Sequence, residues 1–319
     1  MSALCSLIIR SYNEQKHIRQ LLEGIRHQTV FDSLEIILVD SGSTDSTVHI
    51  AKDYGVKVVN IKPGDFSFGK ALNKGCAVAE GEFLLFASAH VYPLYTDWVE
   101  KILVPFSDEK VALVYGRQVG NDITKYSERQ LFNKWFPAHS DYNQKIAFCN
   151  NANAAVRRDL WASQPYDEQL TGLEDLDWAS KIKSKGYKIA YEADAPIVHV
   201  HEETAARIKN RYRREAMALK VIYPNERFSF FSFVRLTIAN ICSDGYHALH
   251  DKKFLSEFSS IVTFRYMQFW GTFLGYIQHK QVNATLKNRL YYPNDLNRAN
   301  VKNNQYRASD ENKKIIYNS

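Results

Sequence analysis

The stretch EIILVDSGSTDST (residues 35–47) decides the fold class, because an apolar run leads directly into a polar turn and a helix start. The apolar run predicts a short buried strand that ends at Asp40. The turn that follows is rich in Ser, Thr and Asp, which are preferred at the N-cap of a helix. The stretch therefore predicts a strand, a turn and a helix in succession.

The same alternation continues on both sides of this stretch. A charge-free run at residues 4–9 precedes a polar turn and a helical pattern that extends to Ile25. Further apolar runs occur at 57–61, 82–87, 111–115 and 187–191, and further helical patterns at 70–79 and 173–185. Short apolar strands that alternate with helices predict an α/β fold with a mostly parallel sheet flanked by helices.

Polar residues stand where three of these strands are predicted to end. They are Ser11 to Glu14, Asp40, and Ser88 to His90. The carboxyl ends of parallel strands share one rim of a sheet, and ligands of such folds bind beyond that rim. We therefore expect a ligand site there.

Composition excludes several classes of protein. Hydrophobic residues make up 45% of the 319 residues and charged residues 24%, which is typical of a globular chain and not of a disordered or fibrous one. The net charge of +6 favours phosphate-bearing ligands or anionic membranes. No nucleic-acid-binding motif accompanies this charge, so we expect no nucleic-acid partner.

The cysteines and the N-terminus indicate a compartment. Four cysteines lie far apart, without the spacing of a zinc cluster or a disulfide framework, which predicts reduced thiols. The N-terminus lacks the pattern of a signal peptide, and no apolar run reaches the length of about 18 residues that a membrane span needs. We expect a cytoplasmic protein, in contact at most with the inner face of the cell membrane.

The pattern changes after residue 203. Long helical patterns take over, and the first places Arg207, Arg211 and Arg214 on one face. Aromatic-rich segments follow, FSFFSF and FRYMQFWGTFLGY, at 228–233 and 264–276. We predict an α/β domain over residues 1–203 and a helical, aromatic-rich C-terminal extension over 204–319. The extension suits contact with an acceptor, an anionic membrane or a second copy of the chain, or else packs on the first domain with a solvated basic face.

Four segments carry a resemblance to a known family: SLIIRSYNE (6–14), EIILVDSGSTDST (35–47), GEFLLFASAH (81–90) and GLEDLDWASKIKSKGY (172–187). In this order they resemble the family-2 glycosyltransferases, which have the Rossmann-like GT-A fold. The resemblance implies an inverting enzyme that moves a sugar from a nucleotide-sugar donor to a hydroxyl of a saccharide or lipid-linked acceptor. It also implies a role in the synthesis of an envelope polysaccharide, such as a capsule or lipopolysaccharide.

The resemblance also assigns the donor-binding residues. It implies that Tyr12 stacks on the base, that Glu14 holds the ribose and that Asp40 accepts a base N–H. Lys70 would contact the phosphates, and asparagines would bind sugar hydroxyls because an amide both donates and accepts. From the residues alone, capping of its own turn is the favoured role of Asp40, whereas the four segments together favour donor binding. Lys70 could belong to a solvated helix face. The donor-binding set is Ser11, Tyr12, Glu14, Asp40, Ser41, Lys70, Ser88, Ala89, Asn151 and Asn153.

Residues Ser88, Ala89 and His90 depart from the family pattern. Similar enzymes carry Asp-x-Asp here, and its second Asp coordinates a divalent cation, Mn²⁺ or Mg²⁺, on the donor diphosphate. A neutral imidazole can bind Mn²⁺, although it suits softer ions better than Mg²⁺. Similar enzymes place a further metal-binding histidine where this chain has His199 and His201. One hypothesis is a histidine metal site, and the other is that these histidines bond the diphosphate directly without metal.

The pair Glu174-Asp175 matches the acidic motif that lies near the acceptor in the family. Transfer with inversion needs a carboxylate that takes the proton of the acceptor hydroxyl. We expect Asp175 to be this base and Glu174 to orient it or to contact the acceptor. Adjacent acids at this place would also stabilise the N-terminus of a helix.

Two other functions fit parts of the pattern. A sugar nucleotidyltransferase would need a Gly-rich loop with Arg and Lys directly after the first strand, where this chain has Ser11 to Glu14. A non-catalytic scaffold or carbohydrate-binding subunit would explain the altered Asp-x-Asp motif. It would not explain why the Asp40 turn and the Glu174-Asp175 pair are intact.

Overall fold

The computed structural model describes residues 3–278 and 311–317, which contain an eight-stranded sheet. The strand order across the sheet is β3-β2-β1-β4-β7-β6-β8-β5, and four of the seven neighbouring pairs are parallel. The strands are β1 (Cys5–Ser11), β2 (Leu34–Asp40), β3 (Lys57–Asn60), β4 (Phe83–Ser88), β5 (Val91–Pro93), β6 (Val111–Val119), β7 (Asn153–Arg157) and β8 (Lys188–His199).

Helices cover both faces of this sheet and form the C-terminal region. They are α1 (Ile18–Arg26), α2 (Thr47–Asp53), α3 (Phe68–Ala77), α4 (Trp98–Leu103), α5 (Tyr126–Trp135), α6 (Arg158–Ser163), α7 (Glu174–Ser184), α8 (Ala205–Ile222), α9 (Phe230–His250) and α10 (Phe254–Ile277). Short 3₁₀ turns occur at Phe31–Ser33, Pro63–Asp65, Val104–Ser107 and Glu311–Lys313. The predicted α/β fold is confirmed.

The central strands are apolar on both faces because both faces are covered. Alternate residues of β1 point to opposite sides, so Leu7 and Ile9 pack in one core cluster and Ile8 in the other. The same alternation places Leu85 and Leu84 of β4 on opposite sides. This two-sided burial explains why these strands read as continuous apolar runs.

Strand β7 reverses the direction of the sheet. It lies between β4 and β6 and is antiparallel to both, with Asn153 beside Ala87 at the carboxyl end of β4. The turn before β7 therefore reaches the same rim as the polar ends of β1, β2 and β4. The segment from Asn150 to Arg157 is therefore a turn followed by a buried strand.

The helical region begins at Ala205, and a buried ion pair ties it to α5. Arg265 in α10 donates to both carboxylate oxygens of Asp244 in α9, at 2.6 and 2.9 Å, and to the carbonyl of Ser127 in α5. None of the helices in residues 3–278 is both long and apolar enough to span a membrane.

The last described segment returns to the first domain. Ile315 donates its backbone N–H to Leu94, and Thr96 donates to Lys313, just beyond the end of β5. The division between residues 203 and 204 stays a prediction, and residues 279–310 of the predicted extension lie outside the described part of the chain.

Candidate active site

The carboxyl ends of β1 and β4, the start of α7 and one face of α8 surround a cavity of about 2000 Å³. This volume exceeds the roughly 300–1,000 Å³ of a site for one small molecule, so it has room for two substrates. Nine predicted site residues line it: Tyr12, Glu14, Ser88, His90, Asn151, Glu174, Asp175, His199 and His201. Six do not: Ser11, Asp40, Ser41, Lys70, Ala89 and Asn153.

Asp175 has the environment of a general base. Its carboxylate is buried at the cavity and accepts backbone N–H bonds from Asn151 at 3.0 Å and from Leu176 at 2.8 Å. Burial and, after it, the neighbouring charge of Glu174 raise the pKa of Asp175 to about 7. A carboxylate with this pKa can take a proton near neutral pH and release it again.

The backbone before α7 is shaped to present this pair. Leu173, the N-cap of α7, has φ +56° in the left-handed region, which a bulky side chain rarely adopts. Glu174 then pairs with Arg10 of β1 at 2.9 Å. The Arg10 guanidinium also lies 5.0 Å from the ring centroid of Phe68. Arg10 was not predicted as a site residue, although it directly precedes the polar turn at Ser11 to Glu14.

Three histidines converge at the cavity. The ring centroids of His199 and His201 are 4.0 Å apart, and His90 lies 5.2 Å from His199 and 5.7 Å from His201. The structure therefore brings together the three histidines that the sequence analysis singled out.

Each of these rings is held through its Nδ1 atom. His90 bonds Glu14 at 2.8 Å, and His201 bonds Glu128 of α5 at 2.7 Å. His199 bonds the side-chain oxygen of Gln118 in β6, also at 2.7 Å. Bonds of this kind orient metal-binding histidines in proteins. Gln118 and Glu128 were missed because they lie about 80 residues away in the chain, without a local signal.

One nitrogen atom of the histidine cluster is available to a ligand. His199 Nε2 is buried without a hydrogen-bond partner among the described residues. Burial and the nearby positive charges hold the pKa of His199 well below its usual range, so the ring is neutral. Burial alone would lower the pKa of His90, but the Glu14 carboxylate outweighs it and raises the pKa. A neutral ring with a free Nε2 fits the predicted cation.

Asp40 organises its own turn. Its carboxylate accepts bonds from Gly42 N at 3.0 Å and from Ser43 N and Oγ at 2.9 and 2.5 Å. It also accepts from Ser11 Oγ at 3.2 Å, and Ser41 Oγ donates to the Ser11 carbonyl at 2.8 Å. The capping interpretation therefore describes this structure, and contact of Asp40, Ser11 or Ser41 with a nucleotide base stays a prediction.

Two asparagines near β7 differ in what they bond. The Asn153 amide donates to the carbonyls of Arg117 and Ala195 and accepts from Trp98 Nε1, which gives it a structural role, and its contact with the donor stays a prediction. Asn151 is 1% exposed and lines the cavity, yet neither atom of its amide has a partner among the described residues.

Two further residues of the predicted donor-binding set, Lys70 and Ala89, are not among the residues that line the cavity, and their contact with the donor stays a prediction. The Lys70 ammonium is 4.0 Å from the Asp65 carboxylate, consistent with a partly solvated face of α3. Ala89 is fully buried and has no side-chain polar atom to offer a ligand.

The arginine face of α8 points into the cavity. Arg207, Arg211 and Arg214 all line it. Arg211 pairs with Glu203 at 2.6 Å and with Glu128 at 2.9 Å, so it also supports the carboxylate that holds a histidine. The helical spacing of these arginines was recognised in the sequence, but their direction was not.

Known proteins share the sequence pattern and the fold of this chain. Residues 6–162 match the model of Glycosyl transferase family 2. Over 219 residues the chain is 30% identical to O-antigen chain rhamnosyltransferase WbaN of Salmonella anatum, covering 65% of this chain and 69% of that protein. Over 223 residues it is 29% identical to O-antigen chain rhamnosyltransferase RfbN of Salmonella typhimurium strain LT2, with coverage of 65% and 69%.

A solved structure is similar in fold. It is the mannosyltransferase PcManGT from Pyrobaculum calidifontis in complex with GDP-Man and Mn²⁺. It aligns with a TM-score of 0.62 at 16% identity, over 88% of this chain and 89% of that chain. This likeness confirms the GT-A fold, and the family model with its relatives confirms the resemblance found in the sequence. The chain belongs to Glycosyl transferase family 2.

Proposed function

We propose that this glycosyltransferase moves a sugar from a nucleotide-sugar donor to a hydroxyl of a saccharide or lipid-linked acceptor, with inversion at the anomeric carbon. The observation that carries the proposal is Asp175, a buried carboxylate of raised pKa on the same cavity as the three histidines. A base and a diphosphate-binding group on one cavity are the two parts that a single displacement needs.

The reaction follows from these residues. Asp175 takes the proton of the acceptor hydroxyl while its oxygen bonds to the anomeric carbon and the bond to the donor diphosphate breaks. The proton then leaves Asp175 for solvent. Arg10 holds Glu174 beside the base through its ion pair. A divalent cation bound by His90, His199 and His201 would supply positive charge that stabilises the diphosphate leaving group.

Asn151 supports the placement of a sugar in this cavity. A buried amide without partners costs about 1–3 kcal/mol for each unsatisfied group. Sugar hydroxyls can satisfy both atoms of this amide at once, because each hydroxyl donates and accepts. We propose that Asn151 bonds the transferred sugar or the acceptor hydroxyl next to Asp175.

The relatives support an acceptor in an envelope polysaccharide. Two of them are named O-antigen chain rhamnosyltransferases. We propose that this chain likewise extends a surface polysaccharide, at the cytoplasmic face of the membrane. The arginines of α8 lie on the cavity where they can bond such an acceptor.

We propose that a face of α9, rather than the arginine face, contacts an anionic membrane. Phe231 is 73% exposed and Ile238 57%, and they belong to one apolar stripe along the helix. Exposed basic residues lie beside this stripe, at Arg235 and at the pair Lys252-Lys253. Apolar residues flanked by basic ones favour the surface of an anionic bilayer. The stripe is Phe231, Val234, Ile238, Cys242, Tyr246 and Leu249.

Cys242 makes this contact measurable, because it is exposed while Cys5, Cys76 and Cys149 are buried. A polarity-sensitive fluorophore on Cys242 should shift to shorter wavelength with phosphatidylglycerol vesicles and not with phosphatidylcholine vesicles. An unchanged spectrum with both, or a disulfide between two Cys242 residues on mild oxidation, would contradict the membrane contact and favour a second copy.

The non-catalytic alternative is not favoured. A scaffold would gain nothing from keeping a buried carboxylate of raised pKa or an unpartnered amide, since both reduce stability. The sugar nucleotidyltransferase is not favoured either, because the turn after β1 carries no Gly-rich phosphate loop.

Calorimetric titration with UDP, GDP, CDP, dTDP and CMP tests the proposed donor site directly. Each nucleotide is added once with Mn²⁺ and once with EDTA. We expect one base to be preferred, with tighter binding in the presence of metal. Absence of binding for every nucleotide under both conditions would contradict the donor site and leave the scaffold as the better explanation.

A further inference from the structure

The histidine cluster offers one class of donor atom. The group of His90, His199 and His201 brings one ring nitrogen from each residue within 4.8 Å of the others, and it contains no carboxylate. Carboxylates and waters are the ligands that Mg²⁺ and Mn²⁺ favour, whereas imidazoles favour ions of the Zn²⁺ type. The composition of this group therefore bears on which cation it selects.

The hydrogen bonds decide which nitrogen of each ring is available. A carboxylate can only accept, so Glu14 and Glu128 place the ring hydrogens of His90 and His201 on Nδ1. The side-chain oxygen of Gln118 does the same for His199. Each ring can therefore direct an Nε2 lone pair toward a cation.

The carboxylates next to the histidine cluster are bonded to an arginine and so are not available as metal ligands. Glu128 and Glu203 come close enough to His201 to form a second possible group. The Arg211 guanidinium, however, bonds both carboxylates, at 2.9 and 2.6 Å. This ion pair keeps both carboxylates engaged with Arg211, so the three imidazoles remain as the donor set.

We propose that His90, His199 and His201 form an all-nitrogen site that holds a nitrogen-preferring first-row cation of the Zn²⁺ or Co²⁺ type and does not retain Mg²⁺. Three protein ligands leave a position open, as in catalytic sites of this kind. In this proposal Gln118 is a positioning residue that orients His199. The proposal rests on the proposed function only in taking the open position to face the donor diphosphate.

Titration of the chelator-treated protein with Co²⁺ tests the proposal without any sugar transfer. Four- or five-coordinate Co²⁺ absorbs visible light much more strongly than the octahedral aqua ion, so binding at three imidazoles produces new bands. We expect these bands to saturate at one Co²⁺ per chain and to disappear when one equivalent of Zn²⁺ is added. About a thousandfold excess of Mg²⁺ should leave them unchanged.

Variants separate the ligands from the rest of the cavity. His199→Ala should abolish the bands, and Gln118→Leu should weaken Co²⁺ binding about 10–100-fold because the ring loses its orienting bond. His49→Ala is the matched control, since His49 lines the same cavity outside the cluster and should leave the titration unchanged. Circular dichroism of each variant establishes that it is folded.

The outcomes distinguish this proposal from the proposed function. Displacement of Co²⁺ by Mg²⁺, or a spectrum that stays that of the aqua ion, would overturn the nitrogen site. If sugar transfer then continued at full rate in EDTA, the proposed function would stand with histidines that bond the diphosphate directly. Strong Co²⁺ bands without any nucleotide binding would uphold the metal site and contradict the proposed function.

Discussion

The turn after β2 and the turn before β7 lie at the same rim of the sheet, yet they differ in how fully their polar groups are bonded. In the first turn, the Asp40 carboxylate accepts four hydrogen bonds from its own and the neighbouring turn. In the second, the Asn151 amide is as deeply buried but has no partner among the described residues.

In the turn after β2 the buried carboxylate already has its hydrogen-bond partners, whereas in the turn before β7 the buried amide has none among the described residues. The first turn is stabilised before any ligand arrives, so changes there should act mainly on stability. His199 Nε2, which lines the same cavity as Asn151, is another buried atom without a partner among the described residues. Buried polar groups without partners reduce stability unless a ligand bonds them. Substitutions of Asn151 or His199 should therefore act mainly on ligand binding and on the rate of transfer.

The largest effect should come from Asp175→Asn. Loss of the base should lower the rate of transfer about 10³-fold, while nucleotide binding measured by calorimetry stays nearly intact. Asp177→Asn is the matched control, because Asp177 lies in the same turn of α7 and pairs with Lys181 at 2.7 Å. A parallel loss of nucleotide binding in Asp175→Asn would show that the residue binds the donor.

Next in size is Asn153→Ala, which removes a side chain that follows the second turn but is as fully bonded as Asp40. It leaves Trp98 Nε1 and the carbonyls of Arg117 and Ala195 without their partner. We expect the free energy of unfolding to fall by about 3 kcal/mol, as measured by urea denaturation. A change below about 1 kcal/mol would mean that water replaces these bonds.

Asn151→Ala is the direct comparison with Asn153→Ala, because both changes remove an asparagine side chain and the two positions are two residues apart. No protein group loses a partner, so the free energy of unfolding should change by less than about 1 kcal/mol. The value of kcat/KM should fall about 10–100-fold, since the substrate loses one or two hydrogen bonds. A large loss of stability with unchanged kcat/KM would reverse the roles of the two asparagines.

The smallest effect is the pH dependence that Asp175 gives to the free energy of unfolding. Its pKa is about 7 in the folded protein and about 3.9 in an unfolded chain, so between these values the folded state holds the extra proton. The free energy of unfolding should therefore fall as pH rises through this window. Relative to Asp175→Asn, the wild-type chain should lose about 1 kcal/mol between pH 6 and pH 7. A pH-independent difference in urea denaturation would contradict the raised pKa.

The first half of the fold could be predicted because each of its strands is an apolar run that ends in a polar turn. Strand β1 is buried on both faces, so its sequence is an apolar run followed by the polar turn at Ser11. Strand β7 could not be predicted, because it is five residues long and begins at Asn153 in a stretch rich in asparagine. Its place in the sheet depends on pairing with β4 and β6, which no local pattern encodes.

The candidate site divides in the same way. The histidines and the Glu174-Asp175 pair were found because they occupy fixed places after strands and at a helix start. The residues that orient them, Gln118 and Glu128, become neighbours only through the packing of β6 and α5. The arginines of α8 showed a helical period, but a period does not tell whether a charged face meets solvent or a cavity.

The returning C-terminal segment has a consequence for handling the protein. Strand β5 is the last in the sheet, and residues 313–315 bond the backbone just beyond it, with the Ile315 side chain buried. The segment thus pairs with the backbone that directly follows the last strand, and unpaired backbone at a sheet edge is the kind of surface that templates intermolecular strand pairing. Loss of residues 311–317 would leave these backbone groups unpaired, and we expect the shortened protein to aggregate on storage even with its active site intact.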